Sequence, residues 1–270
     1  MMAMNLQTEA VVLDIADGVG TINLNRPKAY NALNIDLAEG LRDAVIRCDE
    51  DANIRAVMIT GSGPAFCSGG DIRQMMEAVL RDGHAGSFLK TLTVSLHATT
   101  ATMVHMAKPV ITAVNGAAAG AGFSLALAGD LVLAADNARF TIAYTAIGLA
   151  PDGSSTFTLP RLIGAKRALE LMYTNRPLSA AEAKELGIVN QVFPAARFAQ
   201  LARDFAVSLA NGPTIALGHA KKLVTLSAQC SFETQMEHER RAIAACGHTE
   251  DFIEAANAFL SKQQPRFRGK

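Results

Sequence analysis

The sequence predicts an α/β core followed by an α-helical C-terminal region. Up to about residue 195, apolar stretches of strand length alternate with amphipathic stretches of helix length, which is typical of a parallel sheet with crossover helices. Two glycine-rich segments, 64–72 and 115–124, each follow a predicted strand and lead into a predicted helix. After about residue 195 the apolar residues recur only at helical spacing. We therefore divide the chain into an α/β core, residues 1–195, and a helical region, residues 196–270.

Composition and charge narrow the class of protein. A chain of 270 residues with 50% hydrophobic content is long enough for one large domain with a sizeable core. The 25 Lys and Arg residues balance the 25 Asp and Glu residues, so the formal charge is zero and we expect no nucleic-acid partner. The four cysteines form no Cys-x-x-Cys pair and follow no signal peptide, which favours reduced thiols in a cytoplasmic protein. The histidines show no metal-ligand spacing, so we expect no metal site.

The N-terminal elements follow from alternation and turn chemistry. Segment 10–25 alternates apolar and polar residues around Asp17-Gly18, which predicts a β-hairpin. From Asn34, a suitable N-cap residue, apolar residues recur at helical spacing and predict a helix. Segment 54–63, IRAVMITGSG, then predicts a buried strand that runs into a glycine loop.

The apolar segment 109–129 is uncharged over about the length of a membrane span. Its four glycines, Asn115 and the flanking Lys108 and Asp130 favour instead a buried strand, a loop and a buried helix. We therefore expect no membrane insertion. The remaining predicted elements are an amphipathic helix at about 87–107, a strand at 130–136, and C-terminal helices divided by Asn211-Gly212-Pro213.

The two glycine-rich segments indicate a site for negative charge. A helix N-terminus presents unpaired N–H groups and the positive end of the helix dipole. Two such loops meeting in space would form an oxyanion hole, whereas tight strand-to-helix packing alone is the alternative. Neither loop has the spacing of a phosphate-binding motif, G-x-G-x-x-G or G-K-[ST].

Seven motifs follow one another in order along nearly the whole chain. They are LNRPKAYNALN (24–34), GPAFCSGGDI (63–72), KPVITAVNGAAAGAGFSLALAGDLVLAAD (108–136), IGLAPD (147–152), LPRLIGAKRALELM (159–172), LSAAEAKELGIVNQV (178–192) and the tail AFLSKQQPRFRGK. This series resembles the crotonase superfamily, the enoyl-CoA hydratases and isomerases.

The resemblance implies a crotonase-like spiral of ββα units with an α-helical C-terminal trimerisation region, and hence a homotrimer or a dimer of trimers. It implies an acyl-CoA or enoyl-CoA thioester as substrate, with coenzyme A part of the substrate and no separate cofactor. The oxyanion-hole N–H groups would be those of Gly70 and Ala121. The residues expected to line the acyl-CoA site are Lys28, Ala29, Ser68, Gly69, Asp71, Ile72, Arg73, His97, Tyr144 and, toward a neighbouring subunit, Lys262.

Two positions depart from the hydratases of this superfamily. Hydratases use a pair of glutamates as base and acid, and those positions are Ser124 and Tyr144 here. Asp152 stands at the position where the branch resembling 1,2-epoxyphenylacetyl-CoA isomerase and Δ3,Δ2-enoyl-CoA isomerase has its single proton-carrying acid. The resemblance therefore favours an enoyl-CoA isomerase with Asp152 as the proton shuttle.

Other interpretations stay open. In 4-chlorobenzoyl-CoA dehalogenases the position of Asp152 holds a nucleophilic aspartate, and the position of His97 holds a histidine that activates water. Those enzymes also use a Trp, which this chain lacks. A generic hydratase and a non-catalytic acyl-CoA-binding homologue are further alternatives. Taken alone, Pro151-Asp152-Gly153 predicts only a turn.

Overall fold

The computed structural model describes residues 7–270 and contains two sheets, one of seven strands and one of four. The strands are β1 (Gln7–Thr8), β2 (Val11–Ala16), β3 (Val19–Leu24), β4 (Ala56–Gly61), β5 (Ala65–Cys67), β6 (Val110–Val114), β7 (Ala117–Ala119), β8 (Leu131–Ala135), β9 (Arg139–Thr141), β10 (Leu178–Ser179) and β11 (Gln191–Phe193). The seven-stranded sheet has the order β1-β2-β3-β4-β6-β8-β11, and the four-stranded sheet has the order β10-β9-β7-β5.

Helices cover the sheets and form the whole C-terminal region. They are α1 (Ile35–Glu50), α2 (Ile72–Asp82), α3 (Gly86–His105), α4 (Ala121–Leu127), α5 (Ser155–Ile163), α6 (Ala165–Thr174), α7 (Ala180–Glu185), α8 (Phe198–Ala210), α9 (Thr214–Ser227), α10 (Phe232–Gly247) and α11 (Glu250–Leu260). Short 3₁₀ turns lie at Pro27–Ala29, Thr145–Ile147 and Ala195–Arg197.

The predicted N-terminal hairpin and first crossover unit are both present. Asp17 and Gly18 have φ of 53° and 73°, the left-handed values that a tight turn between antiparallel β2 and β3 requires. Helix α1 begins after Asn34, whose side chain accepts a hydrogen bond from the N–H of Leu37. The helix returns the chain to β4, which pairs in parallel with β3. Turn chemistry, cap and apolar spacing therefore agree along this stretch.

The large sheet is buried on both faces. Its central strands β3, β4, β6, β8 and β11 run parallel, and α1 and α3 cover one face with a single apolar cluster. Helix α8 covers the other face, where Phe198, Ala202 and Ala206 pack against Met58 and Ile111. This burial explains why β4, β6 and β8 are almost continuous apolar runs, because both faces of these central strands are covered.

The four-stranded sheet is a feature that the sequence pattern did not reveal. Its strands are two or three residues long, too short to show an alternating pattern. Strands β5 and β7 pair in parallel, with Ala65 opposite Ala117 and Cys67 opposite Ala118. Each leads into one of the predicted glycine loops, so this pairing sets the two loops side by side.

Close backbone contacts hold that arrangement. A Cβ on Gly122, in α4, would lie 2.0 Å from the carbonyl oxygen of Cys67, in β5. A Cβ on Gly116 would lie 2.1 Å from the carbonyl oxygen of Pro64. Both distances are far below contact, so only glycine allows α4 and β7 to approach β5 this closely.

The predicted α/β core followed by a helical region is confirmed. The last strand ends at Phe193, and only helices follow it in the described part of the chain. Segment 109–129 forms β6, β7 and α4, as expected for a buried strand, loop and helix. Within residues 7–270, no helix has both the length and the apolarity that crossing a membrane requires. A division into separate units at residue 195 stays a prediction.

Replacement of Gly122 by alanine tests the contact between α4 and β5. The added Cβ has to displace the Cys67 backbone, so we expect Gly122→Ala to lower the free energy of unfolding by about 1–3 kcal/mol. Gly247→Ala is the matched control, because a Cβ on Gly247 meets nothing within 4 Å. Urea denaturation followed by circular dichroism measures both variants. Equal stability of the two variants would contradict the close contact.

Candidate active site

The two glycine loops meet where β5 and β7 end. A Cβ on Gly69 would lie 3.0 Å from the carbonyl oxygen of Ala119, and one on Gly120 would lie 3.6 Å from the Cα of Gly69. Gly69 and Gly120 have φ of 100° and 51°, which turn the chain from each strand into the following helix. The carboxyl ends of two parallel strands thus present two helix N-termini next to each other.

The backbone N–H groups of Gly70 and Ala121 have no acceptor among residues 7–270. Gly70 forms a bridge with Leu33, but that bridge uses the N–H groups of Leu33 and Asp71. Ala121 is the first residue of α4, so its N–H has no carbonyl one turn earlier in the helix. Both donors are therefore available to a ligand oxygen.

A salt bridge fixes the first loop. Arg26 contacts Asp71 at 3.0 Å between Nη2 and Oδ2, and Arg26 also donates to the carbonyl oxygen of Ala32. Asp71 is largely buried, and its other oxygen caps α2 by accepting from the N–H of Arg73. The fully buried Asn31 donates to the carbonyl oxygens of Ser62 and Ala65. Segment 26–34 and the loop at 68–71 therefore form one rigid unit.

Asp152 lies at the first position of a tight turn. The N–H and the hydroxyl of Ser155 both donate to the carbonyl oxygen of Asp152, at 3.2 and 2.8 Å. Gly153 and Ser154 have φ of 59° and 72°, so the turn is left-handed at both central residues. A Cβ on Gly153 would lie 2.8 Å from the Cβ of Ser124, which places the turn directly against α4.

A chain of hydroxyl groups joins α4 to the carboxylate of Asp152. The Tyr144 hydroxyl donates to Oδ1 of Asp152 at 2.5 Å, and the Ser124 hydroxyl lies 2.9 Å from the Tyr144 oxygen. Since Tyr144 has one proton and gives it to Asp152, Ser124 is the donor in the second bond. Ser124 and Tyr144 are both buried, while the Asp152 side chain keeps 26% of its surface exposed. One oxygen of the carboxylate is thus bound by Tyr144, while part of the Asp152 side chain stays open to solvent.

Burial raises the pKa of Tyr144 well above its usual range, and the negative charge of Asp152 raises it further. The phenol therefore stays protonated at any physiological pH. It can act as a permanent hydrogen-bond donor to Asp152, but it does not serve as a base.

His97 contacts the other oxygen of the same carboxylate. Its Nε2 lies 3.7 Å from Oδ2 of Asp152, and its side chain is 55% exposed on α3. The contact becomes an ion pair when the imidazole is protonated. Tyr144 and His97 thus approach the carboxylate of Asp152 on its two different oxygens.

The remaining predicted residues lie in three places. Ser68 and Ile72 are exposed beside Gly69, and the N–H of Ser68 donates to the carbonyl oxygen of Tyr30. Lys28 and Ala29 lie on the neighbouring 3₁₀ turn, and the exposed Arg73 lies in the first turn of α2. Lys262 follows α11, and among the described residues no hydrogen bond or ion pair joins it to the other candidates.

The sequence pattern did not indicate three contributors to this site. Arg26 and Asn31 fix the loop, and their only signal was their place in the motif at 24–34. Ser124 was expected only as a departure from the hydratases, whereas it holds Tyr144 in place. No group of three or more His, Cys, Asp or Glu side chains arranged for a metal ion occurs within residues 7–270.

Comparison with known proteins agrees with this architecture. Residues 14–270 match the protein family described as enoyl-CoA hydratase/isomerase. The chain belongs to the enoyl-CoA hydratase/isomerase family. It is 36% identical over 262 residues to 1,2-epoxyphenylacetyl-CoA isomerase of Escherichia coli (strain K12), covering 97% of this chain and 99% of that protein.

Two further members of the enoyl-CoA hydratase/isomerase family show the range of its chemistry. A 4-chlorobenzoyl coenzyme A dehalogenase of an Arthrobacter species is 35% identical, with 94% of this chain and 91% of that protein covered. The crystal structure of an enoyl-CoA hydratase from Bacillus anthracis superposes with a TM-score of 0.89 at 34% identity, covering 97% of this chain and all of that chain. The predicted crotonase fold is therefore confirmed, whereas three chemistries occur at similar identity.

Removal of the Tyr144 hydroxyl tests its contact with Asp152. Tyr144→Phe keeps the buried ring but takes away the donor, and a hydrogen bond to a charged group contributes about 1.5–3 kcal/mol. We expect kcat on an enoyl-CoA substrate to fall roughly tenfold to a hundredfold with KM nearly unchanged. Tyr173→Phe is the control, because that hydroxyl is on a side chain 73% exposed on α6. Wild-type kcat in Tyr144→Phe would show that the contact has no role in turnover.

Proposed function

We propose that the protein is an enoyl-CoA isomerase in which Asp152 moves a proton between two carbons of the acyl group. The observation that supports this most is the isolation of one carboxylate. The Asp152 side chain is partly exposed to solvent and accepts a hydrogen bond from Tyr144. The positions of the two hydratase glutamates are occupied by Ser124 and Tyr144. A site with one carboxylate has one acid to carry the proton, with the imidazole of His97 3.7 Å from it.

The chemistry requires only that group. Asp152 removes a proton from C2 of a 3-enoyl-CoA, and the electron pair of the C–H bond delocalises into the thioester as an enolate. The same proton then passes from Asp152 to C4, and the double bond moves from C3–C4 to C2–C3. Atoms and charge balance without water, which a hydratase would have to activate with a second carboxylate.

The developing charge on the thioester oxygen would be stabilised by the N–H groups of Gly70 and Ala121. Both donors lack a partner within residues 7–270, and both lie at helix N-termini whose dipoles favour negative charge. One such backbone donor typically contributes about 3–4 kcal/mol to lowering the barrier. The enolate is the species for which the two loops are suited.

The coenzyme A part of the substrate would lie along the first loop. Lys28, Ser68, Ile72 and Arg73 are exposed around Gly69 and can contact the nucleotide and its phosphates. Asp71 fixes this loop, because its carboxylate accepts hydrogen bonds from the Arg26 side chain and from the N–H of Arg73.

The proposal includes a homotrimer or a dimer of trimers. The C-terminal helices expose large apolar side chains that would be covered in such an assembly. These side chains are Phe232, Ile243, Phe252, Ile253, Phe259 and Leu260, each at least 55% exposed. Lys262 follows directly after this surface and would reach the coenzyme A phosphates of a neighbouring subunit.

Dehalogenation is the second candidate, and the position of His97 favours it. An aspartate that attacks a ring carbon and a histidine that activates water have to lie close together, and His97 lies 3.7 Å from Asp152. Against it, the chain has no Trp for the aromatic clamp of such enzymes.

A panel of three thioesters separates these functions. We expect the wild-type protein to convert a 3-enoyl-CoA into its 2-enoyl isomer, to leave crotonyl-CoA unhydrated and to release no chloride from 4-chlorobenzoyl-CoA. Asp152→Asn should lose a factor of about 10² to 10⁴ in kcat while acyl-CoA affinity survives. Asp14→Asn, an exposed residue on β2, is the control and should keep full activity. Chromatography and mass measurement identify the products.

Each other outcome of the panel has a distinct meaning. Chloride release that depends on Asp152 and His97 would establish the second candidate. Hydration of crotonyl-CoA would contradict the single-base mechanism. Binding of all three thioesters without conversion would identify a non-catalytic acyl-CoA-binding protein.

A further inference from the structure

A cavity of about 390 Å³ lies at the far end of α3 from the candidate active site. His105, on its wall, follows His97 by eight residues, which is about 12 Å of rise along the helix. The cavity lies between the loop that precedes β4, the end of α3, the first half of α9 and the C-terminal tail. Its lining residues are Ala52, Ile54, Arg55, His105, Met106, Ala107, Lys108, Thr214, Ile215, Gly218, His219, Lys222, Arg268 and Gly269.

The lining of this cavity is cationic without any carboxylate. It contains two arginines, two lysines and two histidines, and no Asp or Glu. The whole chain has zero formal charge, so the concentration of positive charge is local. In the described part of the chain, none of the nine ion pairs involves the four lysines and arginines that line this cavity.

The carboxylates near the cavity are bonded to other groups, and one of them, Asp251, bonds to the cavity wall itself. Asp130 pairs with Lys221, which lies outside the lining, at 2.8 Å. Asp251 accepts the backbone N–H groups of Arg268 and Gly269, at 2.6 and 2.8 Å. Asp49 and Asp51 act at longer range on Lys108, whose ammonium donates to three backbone carbonyls. Lys222 forms no ion pair within residues 7–270, whereas Arg268 also lines a neighbouring depression that contains Glu250, Asp251 and Glu254.

The walls of the cavity are held in place before any ligand binds. Arg55 bonds to the hydroxyl of Thr214 and to the carbonyl oxygens of Gly212 and Phe267, which ties α9 and the tail to the loop before β4. A Cβ on Gly218 would lie 2.5 Å from the carbonyl oxygen of Ala107, so α9 lies directly on the end of α3. The nearly buried Asp251 fixes the backbone of the tail. Such rigidity reduces the entropy that binding costs.

Apolar side chains line the rest of the cavity. Ile54 and Met106 are buried, and Ile215 is half-buried. A bare inorganic anion would use only the cationic wall. A phosphate attached to a small organic group would use both walls, and the volume accommodates such a molecule.

We propose that this cavity binds a small organic phosphate, a phosphate mono- or diester of a compact organic group. The apolar wall holds the organic part of the ligand. The phosphate oxygens are held by His105, His219, Lys222 and Arg268. The inference does not depend on the proposed isomerase function, because none of the candidate active-site residues lines the cavity.

Titration with phenyl phosphate tests the proposal, because this compound carries both features and resembles no acyl-CoA. We expect the wild-type protein to bind phenyl phosphate more tightly than inorganic phosphate in isothermal titration calorimetry at low ionic strength. The double variant Lys222→Gln/Arg268→Gln should bind phenyl phosphate at least tenfold more weakly. Both side chains are exposed, so the variant is expected to fold.

The matched control is Lys166→Gln/Arg167→Gln, which removes two exposed charges from α6. It should bind phenyl phosphate within twofold of wild type, and both double variants should retain enoyl-CoA turnover. Equal affinity in the two double variants, or no binding of phenyl phosphate by the wild type, would overturn the proposal. Light scattering is the second readout, since dissociation of subunits in Lys222→Gln/Arg268→Gln would mean that a carboxylate of a second copy fills the cavity.

Discussion

The parallel pairing of β5 with β7 is the constraint on which the candidate site depends. Three residues on each side are enough to bring the ends of two strands together, and each end turns through a glycine into a helix. The donors of Gly70 and Ala121 are adjacent for this reason, although the residues are about fifty positions apart in the sequence. The close approach of Gly122 to Cys67 fixes the distance between them. The second, smaller sheet thus sets the geometry of the candidate site, and its Phe66 and Phe140 are part of the apolar core.

The same short helix, α4, also determines where Asp152 lies. Ser124 is in the first full turn after Ala121, and it contacts both the Tyr144 hydroxyl and the turn that bears Asp152. Helix α4 therefore positions both the N–H of Ala121 and the carboxylate of Asp152. The burial that raises the pKa of Tyr144 also keeps its proton in place, so Tyr144 remains a donor to Asp152 throughout the physiological pH range. Positioning at this accuracy is what proton transfer between two carbons of one substrate demands.

Local signals predicted much of the fold, and contacts between distant segments account for what they missed. The hairpin at Asp17-Gly18 and the Asn34 cap were readable because turn and cap chemistry act within a few residues. The four-stranded sheet could not be predicted, because strands of two or three residues have no periodicity of their own. The candidate site residues were predicted from the resemblance of the motifs. The contacts among Ser124, Tyr144 and Asp152 could not be predicted, because they join segments that are distant in the sequence. The cationic cavity is assembled from four separate segments, and no single segment is unusually basic.

Family membership identifies this chain as an acyl-CoA enzyme, but it does not determine which reaction the acyl group undergoes. An isomerase, a dehalogenase and a hydratase are all related to it at 34–36% identity, so the distinction depends on individual side chains. The most direct test is a crystal structure of Asp152→Asn with a bound 3-enoyl-CoA. We expect the thioester oxygen to lie about 3 Å from the N atoms of both Gly70 and Ala121. We expect the side chain of residue 152 to lie within about 3.5 Å of C2 and C4 of the acyl group. A thioester oxygen bound away from either N–H, or a residue 152 out of reach of both carbons, would contradict the proposed mechanism.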